Sequence, residues 1–225
     1  MIPTPKPWLA AALLSAVVTM ACSSASGGAP PASPRPATSD QGEPAAIARA
    51  RADSVRHPYI AADVQFMSHM IGHHAQAIVM SGWAPTHGAS PSVRILAERI
   101  INAQQDEIAT MQRWLGSRGQ PVPQEGDTGM KMTMGHGEHT MLMPGMLTPE
   151  QMTQLDQAKG SEFDRQFLTF MIQHHRGAVT MVQDLFGTPG AARDETVFKF
   201  ANDVSVDQST EIARMERMLA ALPPG

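Results

Sequence analysis

The chain has 225 residues, a formal net charge of −4, 42% hydrophobic residues and only 5% aromatic residues. This length suffices for one or two domains with a buried core, and the absence of a basic block argues against a nucleic-acid partner. The low aromatic content favours a helical core of Ala, Ile, Val, Leu and Met over a β-sandwich. Because Cys22 is the only cysteine, no disulfide bond can form within the chain.

The first residues have the pattern of an export signal. Lys6 supplies a positive charge, and the uncharged stretch from Trp8 to Ala21 is too short for a membrane-spanning helix. The tetrapeptide that ends at Cys22 resembles a bacterial lipobox, although Thr19 stands where leucine is usual. Residues 1–22 are therefore predicted to be a signal peptide of the lipoprotein type, with Cys22 as the lipidation site; ordinary cleavage nearby is the alternative.

Residues 23–57 are predicted to form a flexible linker. Ser, Gly, Ala and Pro dominate the first part of this segment, which holds too few large apolar groups to bury a core. Behind a lipid anchor, such a linker would hold a folded domain near a membrane that the rest of the chain does not enter. We expect an exported protein of the periplasm or cell envelope, anchored through Cys22.

The remainder of the chain contains an internal repeat. DVQFMSHMIGHHAQAIVM, which begins at Asp63, aligns with DRQFLTFMIQHHRGAVTM, which begins at Asp164. A second pair follows in the same order, QQDEIATMQRWL from Gln104 and QSTEIARMERML from Gln208. Each half is therefore one copy of a two-element unit.

All four repeat segments are predicted to be helices. Their apolar residues recur at steps of three and four, which indicates helices with a wide buried face. Ser90 followed by Pro91 has the pattern of a helix start, and Thr148, Pro149 and Gln151 could open a short helix. Ser161 and Asp164 have the spacing of a capping box for the third long helix.

These elements predict an all-α fold, in which two helical hairpins related by a pseudo-twofold axis pack as a four-helix bundle over residues 58–220. The first hairpin would cover residues 58–116, and the second would cover 148–220. A connector rich in methionine and histidine, residues 117–147, would join them.

Four histidines lie on the apolar faces of the first helix of each copy: His73, His74, His174 and His175. Met70 precedes the first pair by one turn, and Met171 precedes the second in the same way. Spacings of three and four place such groups on a common helix face, within reach of one ion. Met80 and Met181 continue the same faces further along the helices.

Imidazole together with thioether favours copper. Thioethers suit Cu(I), whereas zinc sites favour Cys, His and carboxylates, and a ferritin-like di-iron site needs Glu-x-x-His motifs that the long helices lack. We therefore expect copper, as Cu(I) rather than Cu(II). The alternative is that the histidines are structural core residues with hydrogen-bond partners.

The second helix of each copy carries a glutamine and a glutamate at matching positions. Gln104 and Gln208 interrupt apolar faces and could either support the ring N–H of a ligand histidine or bond elsewhere. Glu107 and Glu211 are predicted to be surface charges. His69 has Phe170 as its counterpart, so the repeat gives no argument for it.

The connector contains MKMTMGHGEHTMLMPGM, with six methionines and two histidines in seventeen residues. In a flexible, exposed segment these groups do not serve as core filler, which leaves their capacity as soft ligands. We interpret them as a secondary copper-collecting site, which consists of Met130, Met132, Met134, His136, His139, Met141, Met143 and Met146. The alternative is a linker of accidental composition.

Three sequence features resemble the CopM-like family of exported bacterial helical proteins. They are the paired F-x3-M-I-x-H-H-x2-A blocks, the Q-x2-E-I-x2-M-x2-[WM]-L blocks and the lead-in MPGMLTPEQMTQLDQAKGSEFDRQF. The resemblance implies a ferritin-like four-helix fold, copper binding and a role in copper homeostasis or resistance. By position it assigns ligand roles to Met70, His73, His74, Met80, Met171, His174, His175 and Met181. Gly72 in the first copy is replaced by Gln173 in the second, so the two copies are not expected to be identical.

The leading hypothesis is a non-catalytic protein that sequesters or transfers copper, with the metal ion and other copper-handling envelope proteins as partners. A metal- or haem-dependent oxidoreductase is the second hypothesis, although the C-x-x-C-H motif of c-type haem is absent. The third is a tethered envelope interaction module whose histidines are structural.

Overall fold

A computed structural model describes residues 58–123, the backbone of 130–134 and 137–141, and residues 142–223, with five isolated helical positions between 45 and 55. The predicted signal peptide with Cys22, most of the predicted linker and His136 lie outside the described residues. No helix in the described part of the chain combines the length and apolarity needed to cross a membrane.

Four long helices make up most of the described residues. They are α1 (Ala61–Gly82), α2 (Pro91–Ser117), α4 (Ser161–Gly187) and α5 (Glu195–Ala220), and a short helix α3 (Pro149–Gln157) precedes α4. Helix α1 packs on α2, α4 packs on α5, and α1 contacts α4. The predicted all-α bundle of two hairpins is confirmed.

The connector contains regular structure that the sequence did not predict. Strand β1 (Met130–Met134) pairs antiparallel with strand β2 (Gly137–Met141) to form a two-stranded ribbon. The predicted start of the short helix is confirmed, because the Thr148 hydroxyl accepts a hydrogen bond from the Gln151 amide at the N-terminus of α3.

The apolar core is divided between the two ends of the bundle. One cluster, here named the Met70 cluster, contains Met70, Ile71, Ile108, Met111, Met181 and Val204 among others. The other, named the Met80 cluster, contains Met80, Leu96, Ile100, Phe167, Met171 and Met215 among others. On α1 and α4 the four predicted ligand histidines lie between the residues of one cluster and those of the other.

Two buried aspartates at matching repeat positions tie the hairpins together. The Asp63 carboxylate accepts hydrogen bonds from the Ile60 amide at 2.8 Å and from the Ala192 amide at 2.6 Å, in the loop of the other hairpin. The Asp164 carboxylate likewise accepts the Ser90 amide at 3.1 and 3.2 Å. The predicted capping box at Ser161 is therefore wrong: Gly160 is the N-cap of α4, and Asp164 bonds across the hairpins instead of within its own helix.

The last part of the connector, Met143–Leu147, lies across α1 and α4 and is called the strap. The Gln76 side chain donates to the Leu147 carbonyl at 3.0 Å and accepts from the Leu147 amide at 2.8 Å. On α4, a Cβ added to Gly177 would collide with the Pro144 carbonyl and lie 2.6 Å from the Gly145 Cα. Glycine at 177 thus allows the strap to contact the α4 backbone.

The two copies differ where the strap crosses them. Gly177 aligns with Gln76, and Gln173 aligns with Gly72. The Gln173 side chain donates to the Gly145 carbonyl at 3.3 Å, so both exchanges of glycine and glutamine serve the same segment. Gly145 itself has φ of +77°, a conformation in which glycine avoids strain.

Replacing Asp63 or Asp164 with alanine should destabilise the bundle. Each change leaves partly buried backbone amides at the ends of helices or in the loops between them without an acceptor, which costs about 1–3 kcal/mol. Urea unfolding followed by circular dichroism measures the free energy of unfolding. The exposed Asp106→Ala is the control and should be near neutral; equal losses in all three variants would contradict the assigned role.

Candidate metal centre

The four histidines meet in the middle of the bundle, fully buried between the Met70 and Met80 clusters. The His73 and His174 rings, which come from different hairpins, have centroids 3.8 Å apart and planes inclined by 39°. Within each helix the adjacent rings are 6.3 Å and 6.2 Å apart. The structure therefore brings together the two His-His pairs that the repeat singled out.

Three of the four imidazoles have an oxygen atom next to Nε2. His73 Nε2 donates to the Pro144 carbonyl of the strap at 3.0 Å. His175 Nε2 donates to the Glu211 carboxylate at 2.8 Å. His74 Nε2 lies 2.6 Å from the Glu107 carboxylate, although that pair is not well aligned for a hydrogen bond.

The Nδ1 atoms of all four rings are buried and have no hydrogen-bond partner among the described residues. His174 Nε2 is also buried and also lacks a partner there. A carbonyl or carboxylate partner fixes the proton on Nε2 and leaves Nδ1 with a free lone pair. Metal-binding histidines typically show this arrangement, with the second ring nitrogen held by a carboxylate or a backbone carbonyl. The site therefore offers buried nitrogen donors that the protein itself does not satisfy.

Burial keeps the central imidazoles neutral. Loss of solvation lowers the pKa of His73 to about 3, and the neighbouring His74 adds to the shift. The pKa of His174 is also well below the usual value, first because of burial and then because of the nearby His73. Neutral imidazole is the form that binds a metal, so no proton has to leave these two rings at neutral pH.

The four predicted methionine ligands are buried on either side of the histidines. Met70 and Met181 belong to the Met70 cluster, and Met80 and Met171 belong to the Met80 cluster. Each cluster thus receives one of these four methionines from each copy. Within the described residues, no three His, Cys, Asp or Glu side chains are gathered in a metal-holding arrangement.

Met143 and Met146 do not belong to a flexible, exposed strand as the sequence predicted. Both are buried in the Met70 cluster, because the strap packs against α1 and α4. Their thioethers therefore lie in the same apolar environment as those of Met70 and Met181.

The remaining connector residues of the secondary site are described through the backbone of the ribbon. Its register places Met130 opposite Met141 and Met132 opposite His139. Alternate positions of paired strands share one face, so Met130, Met132, Met134, His139 and Met141 fall on the same face of the ribbon.

Sequence reasoning missed the carboxylates. Glu107 and Glu211 are not plain surface charges: their side chains are only 19% and 16% exposed and lie against His74 and His175. Their matching positions in the repeat were the signal that could have identified them. Gln104 and Gln208 are buried, but neither bonds a ligand histidine among the described residues, and Gln104 has no side-chain partner there.

Comparison with known proteins agrees with this architecture. The family model for DUF305, a domain of unknown function, matches residues 63–219. A DUF305 fragment from Deinococcus radiodurans is 31% identical, with a TM-score of 0.60, over 73% of this chain and 99% of that one. A candidate secreted DUF305 protein from Streptomyces coelicolor is 26% identical, with a TM-score of 0.58, over 71% of this chain and 92% of that one.

Structures with bound metal are also similar to this chain. CopM in its Cu(II)-bound form is 32% identical, with a TM-score of 0.53, over 70% of this chain and 95% of that one. Further CopM structures hold Cu(I) or Ag. The uncharacterized protein L153 of Acanthamoeba polyphaga mimivirus is 41% identical over 56 residues, which are 25% of this chain and 37% of that protein's length.

The metal-free protein should lose stability as the pH falls from about 6.5 towards 3. In that range histidines of the unfolded chain take up protons while His73 and His174 remain neutral in the folded state, so acid favours unfolding. Each such histidine contributes a slope of up to about 1.4 kcal/mol per pH unit.

Urea unfolding between pH 5 and 7 measures this slope above the range in which most carboxylates titrate. A His73→Leu/His174→Leu variant should show a shallower dependence on pH than the unaltered protein. Equal slopes would show that the burial of these two rings does not control the acid response.

Proposed function

Because this chain belongs to the DUF305 family, whose domain covers residues 63–219, we propose that it is an extracytoplasmic copper-binding protein. It sequesters or transfers copper through buried histidines and methionines, in copper homeostasis or resistance. The observation that carries the proposal is the set of buried Nδ1 atoms without partners, on rings whose Nε2 atoms mostly face oxygen. Such a set is costly in a protein interior unless a ligand satisfies it.

Copper is the metal that best fits these donors. Imidazole and thioether together select a soft ion, and thioethers favour Cu(I) in particular. The related CopM structures contain Cu(II), Cu(I) or Ag, and Ag(I) resembles Cu(I) in charge and softness. The ligands proposed are His73, His74, His174 and His175 with Met70, Met80, Met171 and Met181.

The surrounding residues would favour a bound ion in three ways. The apolar clusters exclude water, so water would not compete with the nitrogen and sulfur ligands for the ion. Glu211 accepts the hydrogen bond of His175 Nε2, Glu107 lies against His74 Nε2, and both carboxylates would supply negative charge close to the ion. Burial keeps His73 and His174 neutral and ready to bind.

The two halves of the centre would not be equally prepared to bind copper. The Pro144 carbonyl orients His73, whereas His174 has no partner on either ring nitrogen among the residues that the structure describes. A ring held by one hydrogen bond loses less freedom when its other nitrogen binds a metal. The His73 side of the centre would therefore be better prepared for copper.

The ribbon and the N-terminal region complete the proposal. Thioethers of Met130, Met132, Met134 and Met141, with the imidazoles of His139 and His136, would collect copper outside the bundle. An export signal over residues 1–22, lipidation at Cys22 and a linker over 23–57 would place the bundle at the cell envelope, where other copper-handling proteins are accessible.

Replacing all four central histidines with leucine should weaken Cu(I) binding by more than about a hundredfold, since changes even to groups that only support a metal ligand cost 10- to 100-fold. Affinity is measured anaerobically by competition with a chromophoric Cu(I) chelator, and helicity by circular dichroism. His87→Gln is the matched control, because His87 is buried but bonds Asp156 outside the centre. Equal affinities of the unaltered and four-histidine proteins would disprove the proposed site.

Replacing Met130, Met132, Met134 and Met141 together with leucine should lower the number of copper ions bound without changing helicity. Leucine keeps the apolar bulk and removes only the sulfur, so any loss reports coordination. Elemental analysis after anaerobic loading measures the stoichiometry. Copper content equal to that of the unaltered protein would show that the ribbon collects no metal.

A further inference from the structure

A cleft of about 500 Å³ opens to solvent beside the strap, between α1 and α4. Its lining includes His69, Met143, Met181 and Asp184. His69 is half-buried and Asp184 is exposed, while Met143 and Met181 are buried in the Met70 cluster. An imidazole and a carboxylate thus line a cleft that also contacts two buried thioethers.

The repeat shows that this lining is particular to one end of the bundle. At the matching positions of the other end, Phe170 replaces His69, Trp83 replaces Asp184 and Phe163 replaces Ala62. Aromatic contacts occupy that region, because the Trp83 ring stacks on His87 at 6.0 Å and His87 lies 5.2 Å from Phe163. The end of the bundle at Phe163 is packed with aromatic rings. The matching end is open and is lined with an imidazole, a carboxylate and two thioethers.

The cleft is linked to the two sites described above by residues of the connector. Met141, the last residue of the ribbon, directly precedes Leu142, which lines the cleft. On the inner side, Pro144 lines the cleft and its carbonyl accepts the hydrogen bond of His73. The connector therefore runs from the ribbon along the cleft to the residue that holds His73.

We propose that this cleft is the port through which Cu(I) enters the bundle. The Asp184 carboxylate attracts the cation, His69 binds it at the mouth, and Met143 and Met181 pass it to the histidines. The transfer is an exchange of ligands: each new Cu–N or Cu–S bond replaces an earlier one, and the oxidation state stays constant. This inference rests on the proposed copper-binding function.

His69→Phe tests the port with the residue that the second copy already has at this position. Cu(I) is supplied anaerobically as a complex with a chromophoric chelator, at concentrations where the capture rate of the unaltered protein is proportional to protein concentration. Stopped-flow absorbance follows the loss of the chelator complex. Phe170→Leu, at the matching position of the other end, is the control, and circular dichroism verifies the fold of both variants.

His69→Phe should slow capture by roughly tenfold or more, within the range over which association rates vary among variants of one site. Its equilibrium affinity for Cu(I) should be unchanged, and Phe170→Leu should match the unaltered protein. An unchanged rate in His69→Phe, or equal slowing in Phe170→Leu, would overturn the port. A loss of equilibrium affinity in His69→Phe would also overturn it, because His69 would then be a resident ligand.

The affinity measurements separate this inference from the one on which it rests. If the unaltered protein bound Cu(I) no better than the four-histidine variant, the proposed function would fail. If that difference in affinity were present and the capture rates of the unaltered and His69→Phe proteins were equal, only the port would fail.

Discussion

The contact between the His73 and His174 rings in the centre of the bundle is the constraint on which the other features depend. Two imidazoles from different hairpins meet at 3.8 Å in an environment that excludes water. Their protonated forms would repel each other and lose solvation, so both rings stay neutral with open nitrogens. A core of the same size built from leucine would avoid this cost, so the polar centre is not explained by packing alone.

Different parts of the chain lie against the imidazole rings and contribute the methionines around them. Residues of the second helix in each hairpin, Glu107 and Glu211, lie against the outer histidine of each pair. The strap holds His73 through the Pro144 carbonyl and contributes Met143 and Met146 to the core. Three of the four rings are therefore contacted by segments far apart in sequence, and the clusters at the two ends contain the methionines that flank the histidines.

The four long helices were predictable because a wide apolar face at steps of three and four leaves little choice of secondary structure. The inward placement of the histidines followed from the same periodicity. The roles of Glu107 and Glu211 were not predicted, because a glutamate on a partly exposed helix face has the same local pattern whether it meets water or an imidazole. Asp164 was misassigned to a cap for a similar reason: its partner, Ser90, is 74 positions away.

The strap could not be foreseen because its anchors are single residues without a local pattern. Composition alone made the connector resemble a flexible segment, yet Gln76 pairs with the Leu147 backbone and Gly177 leaves space for Pro144. Only the exchange of Gly72 for Gln173 hinted that the copies differ. The physical reason, a chain segment crossing both helices, becomes visible only in three dimensions.

The glycine at 177 has a consequence for how such a protein can be assembled. Two identical hairpins associating as separate molecules would carry either glutamine or glycine at this position on both sides. With glutamine on both sides, neither helix would leave space for the strap. With glycine on both sides, neither helix would have a side chain here to hydrogen-bond it. Joining the hairpins covalently removes that restriction, so the symmetry of the two copies can be broken at single positions while the shared core is kept.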